Sequence, residues 1–326
     1  MRGAMQVKTG NIPIEIMIAG AMLIAMFAFS AIFGLPIVYP TGSRAAEVGI
    51  HYIFPLLGVG LMGLIIAVAG DRDVAVKFHL ATPCYAAVLF AHFNIKLWIP
   101  HINSANYDAL YWQTDVWAGP LVAGSIAIRE SMLWLIPFEA NFYMISFVAL
   151  FYCSFLYHAI KTPDHFGKLM VAVLLLQSLG TFAYLIAPAI GPFVYEDGIN
   201  PMVTAGQHTM LEFYRGSITH GPDWIAENGG AHFTAGLAAM PSLHSAGAFL
   251  FFLFAWHHAK ILVPLYALLL LFILVTAVAS RWHYLIDVPA GTALAWVSFR
   301  LANRLTRRKD ASEDVSRTID REIALT

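Results

Sequence analysis

The residues best suited to chemistry are two histidines, each within a short polar run of an otherwise apolar chain. The first is His283, which Asp287 follows four residues later. On a helix this spacing places the carboxylate on the same face as the imidazole, about one turn away. Because an unpaired carboxylate within an apolar helix is costly, we expect the two side chains to pair. Pairing would fix the imidazole tautomer and leave the other ring nitrogen as a nucleophile or base. A structural pair that caps the helix is the alternative.

The second histidine is His244, in the run Pro-Ser-Leu-His-Ser at 241–245. Pro241 suits the opening turn of a helix, where its missing N–H would be unpaired anyway. The amides of Ser242, Leu243 and His244 would then point outward at the positive end of the helix dipole, an arrangement that receives phosphate. His244 could donate a proton to a leaving-group oxygen, and the Ser242 hydroxyl is a further donor. A proline-started helix with an interfacial histidine is the alternative.

Composition indicates that membrane helices position these side chains. Of the 326 residues, 59% are hydrophobic and only 12% are charged, and the mean hydropathy is +0.68. That much apolar surface excludes a water-soluble domain. The net charge of −1 lacks the basic excess of a nucleic-acid-binding protein. Cys84 and Cys153 lie in apolar stretches, which excludes a disulfide framework and a zinc site.

Apolar runs of about 18 residues or more predict transmembrane helices. We therefore expect an all-α polytopic membrane bundle of about eight spans, near residues 14–39, 49–69, 78–100, 134–160, 168–190, 240–258, 261–280 and 283–303. The longer connections at 101–133 and 191–239 are rich in Trp, Tyr, Gly and Pro, which is typical of interfacial or re-entrant segments. The predicted divisions are N-terminal helices with an interfacial loop (1–133), a catalytic core (134–303) and a charged cytoplasmic tail (304–326).

The distribution of cations predicts the orientation of these spans. If both termini are cytoplasmic, 14 of the 19 Lys and Arg residues lie inside, four lie outside and Lys96 lies within a span. The positive-inside rule favours this arrangement. It places the beginnings of the sixth and eighth spans at the extracytoplasmic face of a membrane such as the bacterial inner membrane. His244, Arg281, His283 and Asp287 would then lie at one depth, where they could serve as acid, cation, nucleophile and orienting carboxylate in phosphoryl transfer.

The two motifs resemble signatures of a known family. Pro-Ser-Leu-His-Ser at 241–245 and His-Tyr-Leu-Ile-Asp at 283–287 resemble the second and third motifs of the type-2 phosphatidic acid phosphatase superfamily. The chain is most similar to the branch containing inositol phosphorylceramide synthase and sphingomyelin synthase, whose last motif has the form His-aromatic-x-x-Asp. Residues 184–192, which begin with Tyr184 and end with a proline, resemble that branch's upstream segment. The resemblance covers roughly 165–303 and implies a six-helix catalytic core.

The resemblance also implies roles for individual residues. His283 would attack phosphorus to give a phosphohistidine, and Asp287 would orient and stabilise His283. His244 would protonate the leaving alcohol and then activate the acceptor. The resemblance implies neither a metal ion nor a cofactor.

The phosphate-binding residues are less clear because the Lys-x6-Arg-Pro signature of the phosphatases is absent near the fifth span. The pair Ser280-Arg281 also stands closer to His283 than in the family motif. Arg281 is the first candidate for the phosphate-binding cation because it shares a helix end with the nucleophile. Lys96 is the second, since an unpaired cation in a span needs an anion nearby. Its alternative is snorkelling to the interface. Ser242, Ser280 and Tyr184 complete the predicted substrate-binding set.

The leading hypothesis is an enzyme that moves the phosphoryl group or phospho-headgroup of a membrane lipid or lipid-linked phosphate. It would be a phosphatase if the acceptor is water and a transferase if the acceptor is an alcohol. A proton-coupled transporter that uses Lys96, His92, Glu139 and Asp287 is the alternative from another class. A third reading, an inactive lipid-binding scaffold, is disfavoured by the intact set of His244, His283 and Asp287.

Overall fold

Every regular element of the described chain is a helix. A computed structural model describes residues 12–324 apart from 42–56, 59, 62, 66, 69–71, 136–138 and 238, and no described residue lies in a strand. The helices are α1 (Ile14–Phe33), α2 (Arg72–Ile102), α3 (Asp108–Trp117), α4 (Gly119–Met132), α5 (Glu139–Lys161), α6 (Pro163–Ile186), α7 (Pro201–His220), α8 (Pro222–Asn228), α9 (Leu243–His258), α10 (Val263–Ala279) and α11 (Asp287–Ala324). The predicted all-α membrane bundle is confirmed.

Five described segments are long and apolar enough to cross a membrane. They are Ile14–Phe33, Asp73–Ile102, Asn141–Lys161, Pro163–Ile186 and Lys260–Ala279. These segments coincide with five of the eight predicted spans. The predicted span at 49–69 lies largely outside the described residues, although those described between 57 and 68 are helical.

The other two predicted spans are helical but differ from simple membrane crossings. α9 has 16 residues, or ~24 Å at 1.5 Å per residue, which is shorter than the ~30 Å hydrocarbon layer. α11 runs on to Ala324, so the predicted boundary at 303/304 falls within a helix. The connection predicted at 101–133 is largely helical too, because α3 and α4 occupy most of it.

α6 lies at the centre of the bundle. It packs against α1, α2, α5, α9 and α11, and 67% of its most apolar window is buried, against 17% for α1. A helix that is apolar on all sides suits such a central position. α6 therefore forms the scaffold on which the other helices place their polar residues.

The segment after α1 makes hydrogen bonds with the C-terminal half of α2. Gly34, with φ of 63°, ends α1 in the left-handed conformation that glycine adopts readily. The extended residues that follow reach α2, where Asn94 Oδ1 accepts from the Val38 amide at 2.8 Å and Trp98 Nε1 donates to the Pro36 carbonyl at 3.0 Å. These bonds fix the part of α2 that carries His92 and Lys96.

Candidate active site

The two histidine motifs meet where α9 and α11 begin. The Ser242 amide donates to the Asp287 carbonyl at 3.1 Å. A Cβ atom at Gly291 would overlap the Ser242 carbonyl oxygen, so glycine is required for this close approach of α11 to α9. His244 lies in the first turn of α9, and His283 lies in the loop that precedes α11. The fold thus brings together the two motifs that the sequence separates by a whole helix.

His283 and Asp287 form a pair, but not on the same helical turn. α11 begins at Asp287 itself, because the Asp287 carboxylate accepts the Tyr284 amide at 2.8 Å and closes the preceding loop. The His283 Nδ1 lies 3.4 Å from Asp287 Oδ2. This separation makes the fully buried carboxylate of Asp287 a charge close to the ring rather than the acceptor of a short hydrogen bond.

The tautomer of His283 is determined mainly by a backbone carbonyl. Nδ1 lies 2.7 Å from the Ala239 oxygen. Since a carbonyl oxygen can only accept, Nδ1 carries the hydrogen, and Nε2 is left with a lone pair. The ring is therefore in the form that a nitrogen nucleophile requires.

A cavity of about 640 Å³ opens in front of these residues. Its wall includes five of the predicted site residues, which are His244, His283, Ser280, Tyr184 and Lys96. His92 also lines it. The predicted residues Ser242, Arg281 and Asp287 lie outside the wall. The structure thus brings both histidines and one cation to a common space.

The Ser242 side chain packs inside the protein and does not line the cavity. It is fully buried, and its hydroxyl donates to Ser245 Oγ at 2.9 Å. It is the N-cap residue of α9, so Pro241 precedes the helix instead of occupying its opening turn. The expectation that Pro241 starts the helix is wrong, because α9 begins two residues later.

Arg281 is held by acidic side chains. It is 1% exposed. Nη2 donates to Asp115 Oδ2 at 2.9 Å, and Nε lies 2.7 Å from Glu196 Oε2 without the alignment of a hydrogen bond. Its φ of 59° is unusual for a residue with a side chain. Two carboxylates thus compensate the charge that was expected to bind phosphate.

Lys96 is placed differently from Arg281. It is buried, its Nζ makes a long 3.4 Å hydrogen bond to the Thr234 carbonyl, and it lies 5.6 Å from the centre of the Phe93 ring. Among the described residues, no carboxylate is within ion-pair distance of it, and it is the one Lys or Arg in the cavity wall. Lys96 is therefore the described cation best placed to meet an anion in the cavity.

Two buried carboxylates of α3 hold the loop that carries His283. Asp115 accepts the Leu285 amide at 2.8 Å as well as Arg281. Seven residues earlier, Asp108 accepts the Tyr284 hydroxyl at 2.7 Å and the Ile190 and Gly191 amides. Burial, reinforced by Asp108, raises the pKa of Tyr284 far above its usual range, so the phenol stays protonated and donates.

Replacing Asp115 with Asn tests this support. The variant keeps one oxygen for the Leu285 amide but turns a donor toward Arg281, and it leaves that buried charge with the partly exposed Glu196 as its one described carboxylate partner. We expect it to lose about 3 to 5 kcal/mol of stability, measured by thermal unfolding in detergent, together with activity. The exposed Asp197, which pairs with His208 on the surface, is the matched control, and Asp197→Asn should change neither. An Asp115→Asn protein as stable as wild type would contradict this account.

Three groups of the site were not predicted: the Ala239 carbonyl, the two α3 carboxylates, and the hydrogen bond of His92 Nδ1 with Thr181 of α6 at 2.7 Å. The signal for the carboxylates was present in the sequence, since Asp108 and Asp115 are seven residues apart in a chain with few charges. That spacing places both on one face of a helix. The Ala239 carbonyl left no signal, because any residue type can supply a backbone oxygen.

Comparison with known proteins gives a family match for the part of the chain that carries both histidine motifs. The sequence model of the PAP2 superfamily matches residues 125–301, which include both histidine motifs but neither α1, α2 nor α3. No curated protein and no solved structure gives a significant match. Because the family match spans more than half of the 326 residues, the chain belongs to the PAP2 superfamily, the type-2 phosphatidic acid phosphatases.

Proposed function

We propose that the protein transfers the phosphoryl group or phospho-headgroup of a membrane lipid or lipid-linked phosphate through a phosphohistidine on His283. The observation that carries this proposal is the 2.7 Å contact of His283 Nδ1 with the Ala239 carbonyl. It leaves Nε2 with a lone pair in a ring that lines the same cavity as His244 and Lys96. Membership of a phosphatase family supports the same reaction class.

The reaction has two steps in which the same atoms are exchanged in opposite order. In the first, His283 Nε2 attacks phosphorus, the bond from phosphorus to the leaving oxygen breaks, and His244 gives that oxygen a proton. In the second, an acceptor oxygen attacks phosphorus, its proton passes to His244, and the bond from phosphorus to Nε2 breaks. Asp287, 3.4 Å from the His283 ring, stabilises the positive ring of the intermediate.

Lys96 is proposed to bind the phosphate oxygens. Arg281 lies outside the cavity wall and pairs with Asp115 and Glu196. Replacing Lys96 with Met should raise KM for phosphatidic acid in mixed micelles by about 10- to 100-fold, since a hydrogen bond to a charged group is lost. Initial rates over a range of lipid concentrations test this. Lys260, which lies 4.1 Å over the Trp256 ring at the other end of α9, is the matched control. An unchanged KM in Lys96→Met would contradict the assignment.

Two finer features of the proposal rest on the sequence. The 14-to-4 distribution of cations supports cytoplasmic termini and an active site at the extracytoplasmic face. The His-aromatic-x-x-Asp form of the last motif supports similarity to the inositol phosphorylceramide and sphingomyelin synthases. The transporter alternative has less support, because only Lys96 and His92 of its four residues are placed in the cavity wall, Asp287 lies outside it, and the Glu139 side chain is outside the described part.

Comparing the lipids of membranes that contain wild-type protein with those that contain His283→Ala tests the proposed function. Mass spectrometry should find a phospholipid, or a lipid-linked phosphate, that accumulates in the variant and a matching product that is lost. Equal amounts of protein in the two membranes are verified first. If no phosphorylated lipid or glycan differs between them, the proposed function is wrong.

A further inference from the structure

A third histidine of the cavity has no part in the reaction described above. His92 lies on α2, outside the region that matches the family, and is 3% exposed. It lines the cavity together with Lys96, one helical turn further along α2. Its ring lies 6.0 Å from that of Tyr184, another residue of the wall.

The hydrogen bonds around His92 determine its tautomer. The Thr181 hydroxyl donates its one hydrogen to the Gln177 carbonyl at 2.7 Å. Thr181 Oγ1 must therefore accept in its other contact, which is with His92 Nδ1 at 2.7 Å. Nδ1 then carries the ring hydrogen, and Nε2 is an acceptor. No described residue donates a hydrogen bond to Nε2.

This construction matches that of His283. In both residues, Nδ1–H donates to an oxygen of the protein and Nε2 has a lone pair. Both rings line the cavity. An acceptor nitrogen in the wall of a cavity can receive a hydrogen bond from a bound molecule, so the site is suited to a ligand that supplies an O–H group. The same wall continues with the polar side chains of Gln177, Tyr85 and Tyr143, whereas a site only for acyl chains would be apolar.

We propose that His92 Nε2 accepts a hydrogen bond from one hydroxyl of a diol or polyol acceptor, while a second hydroxyl of that molecule attacks the phosphohistidine. This inference rests on the proposed function. The attacking oxygen forms its bond to phosphorus as the bond from phosphorus to His283 Nε2 breaks, and its proton passes to His244. The hydroxyl on His92 does not react and serves to position the acceptor. His92 therefore favours transfer to a polyol over transfer to water or to a simple alcohol.

Competition between acceptors tests the inference. Full-length protein in detergent is given phosphatidic acid with a labelled phosphate, together with equal concentrations of glycerol and 1-propanol. The labelled products are glycerol phosphate, propyl phosphate and free phosphate. Their ratio measures acceptor choice independently of the total rate. A residue that only maintains the structure would lower all three products together.

Wild-type protein should favour glycerol over propanol, and His92→Leu should lower that preference by about tenfold, the effect of one hydrogen bond. Thr181→Val removes the oxygen that accepts from His92 Nδ1 and so no longer fixes the tautomer of the ring. It should lower the preference for glycerol in part, whereas Thr181→Ser should leave the preference unchanged. His79 is exposed on the same helix, with Nδ1 bonded to the Ala75 carbonyl, and His79→Leu is the matched control.

Each contrary outcome has a definite meaning. If wild-type protein forms free phosphate only, or if its preference survives in both His92→Leu and Thr181→Val, the acceptor site is wrong and the phosphohistidine mechanism stands. If wild-type protein releases no product from phosphatidic acid or from phosphatidylinositol, used as a second donor, the proposed function fails and this inference fails with it.

Discussion

Replacing His283 with alanine is expected to lower kcat for phosphatidic acid by about 10⁴-fold or more, the usual scale for loss of a covalent nucleophile. Among the described residues, the His283 ring combines a nitrogen with a lone pair, a fixed tautomer and a neighbouring carboxylate, all of which fit attack on phosphorus. Nδ1 is committed to the Ala239 carbonyl at 2.7 Å. Alanine leaves no atom that can form the intermediate, so no acceptor can rescue the reaction.

The control for this variant is His220→Ala, at the exposed end of α7, which should retain wild-type turnover. Thermal unfolding of His283→Ala in detergent should show that the protein is folded. A folded His283→Ala protein that keeps more than a few per cent of wild-type kcat would contradict the assignment of the nucleophile.

Replacing His244 with alanine is expected to lower kcat for phosphatidic acid by about 10²- to 10⁴-fold, the range for a general acid and base. The effect should depend on the leaving group. The diacylglycerol oxygen needs a proton as it departs, whereas p-nitrophenolate leaves readily without one. The loss measured with p-nitrophenyl phosphate should therefore be much smaller in the first step.

His257, which is exposed at the far end of α9 with Nδ1 bonded to the Leu253 carbonyl, supplies the matched control His257→Ala. Single-turnover rates of p-nitrophenolate release isolate the first step. An equal loss with both leaving groups would show that His244 is not the proton donor, even if it is needed for activity.

Hydropathy predicted the membrane bundle because the length of an apolar run is set by the bilayer. It did not predict that α9 has only 16 residues, because apolar residues also occupy the non-helical segment directly before Leu243. The two histidine motifs could be predicted because their residue types and spacing are specific. The environment of Arg281 could not be predicted, because its partners Asp115 and Glu196 are distant in sequence. A sequence does not show whether a cation is buried in an ion pair or accessible to a ligand.

The N-terminal part of the chain supplies more of the site than its lack of motifs indicates. α2 provides His92 and Lys96, and α3 provides Asp108 and Asp115, all outside the region that matches the family. These residues hold the loop of His283 or face the cavity, whereas the region that matches the family carries His244 and His283. Helices α2 and α3 therefore belong to the proposed site as much as the region that matches the family does.

Direct detection of the covalent intermediate tests the central claim. Wild-type protein is mixed with phosphatidic acid carrying a labelled phosphate, quenched within milliseconds and digested under alkaline conditions, in which phosphohistidine survives. The account predicts one acid-labile phosphate, located by mass spectrometry on His283 and absent from His283→Ala. Turnover without a labelled protein at any quench time, or a label on another residue such as His244 or His92, would contradict it.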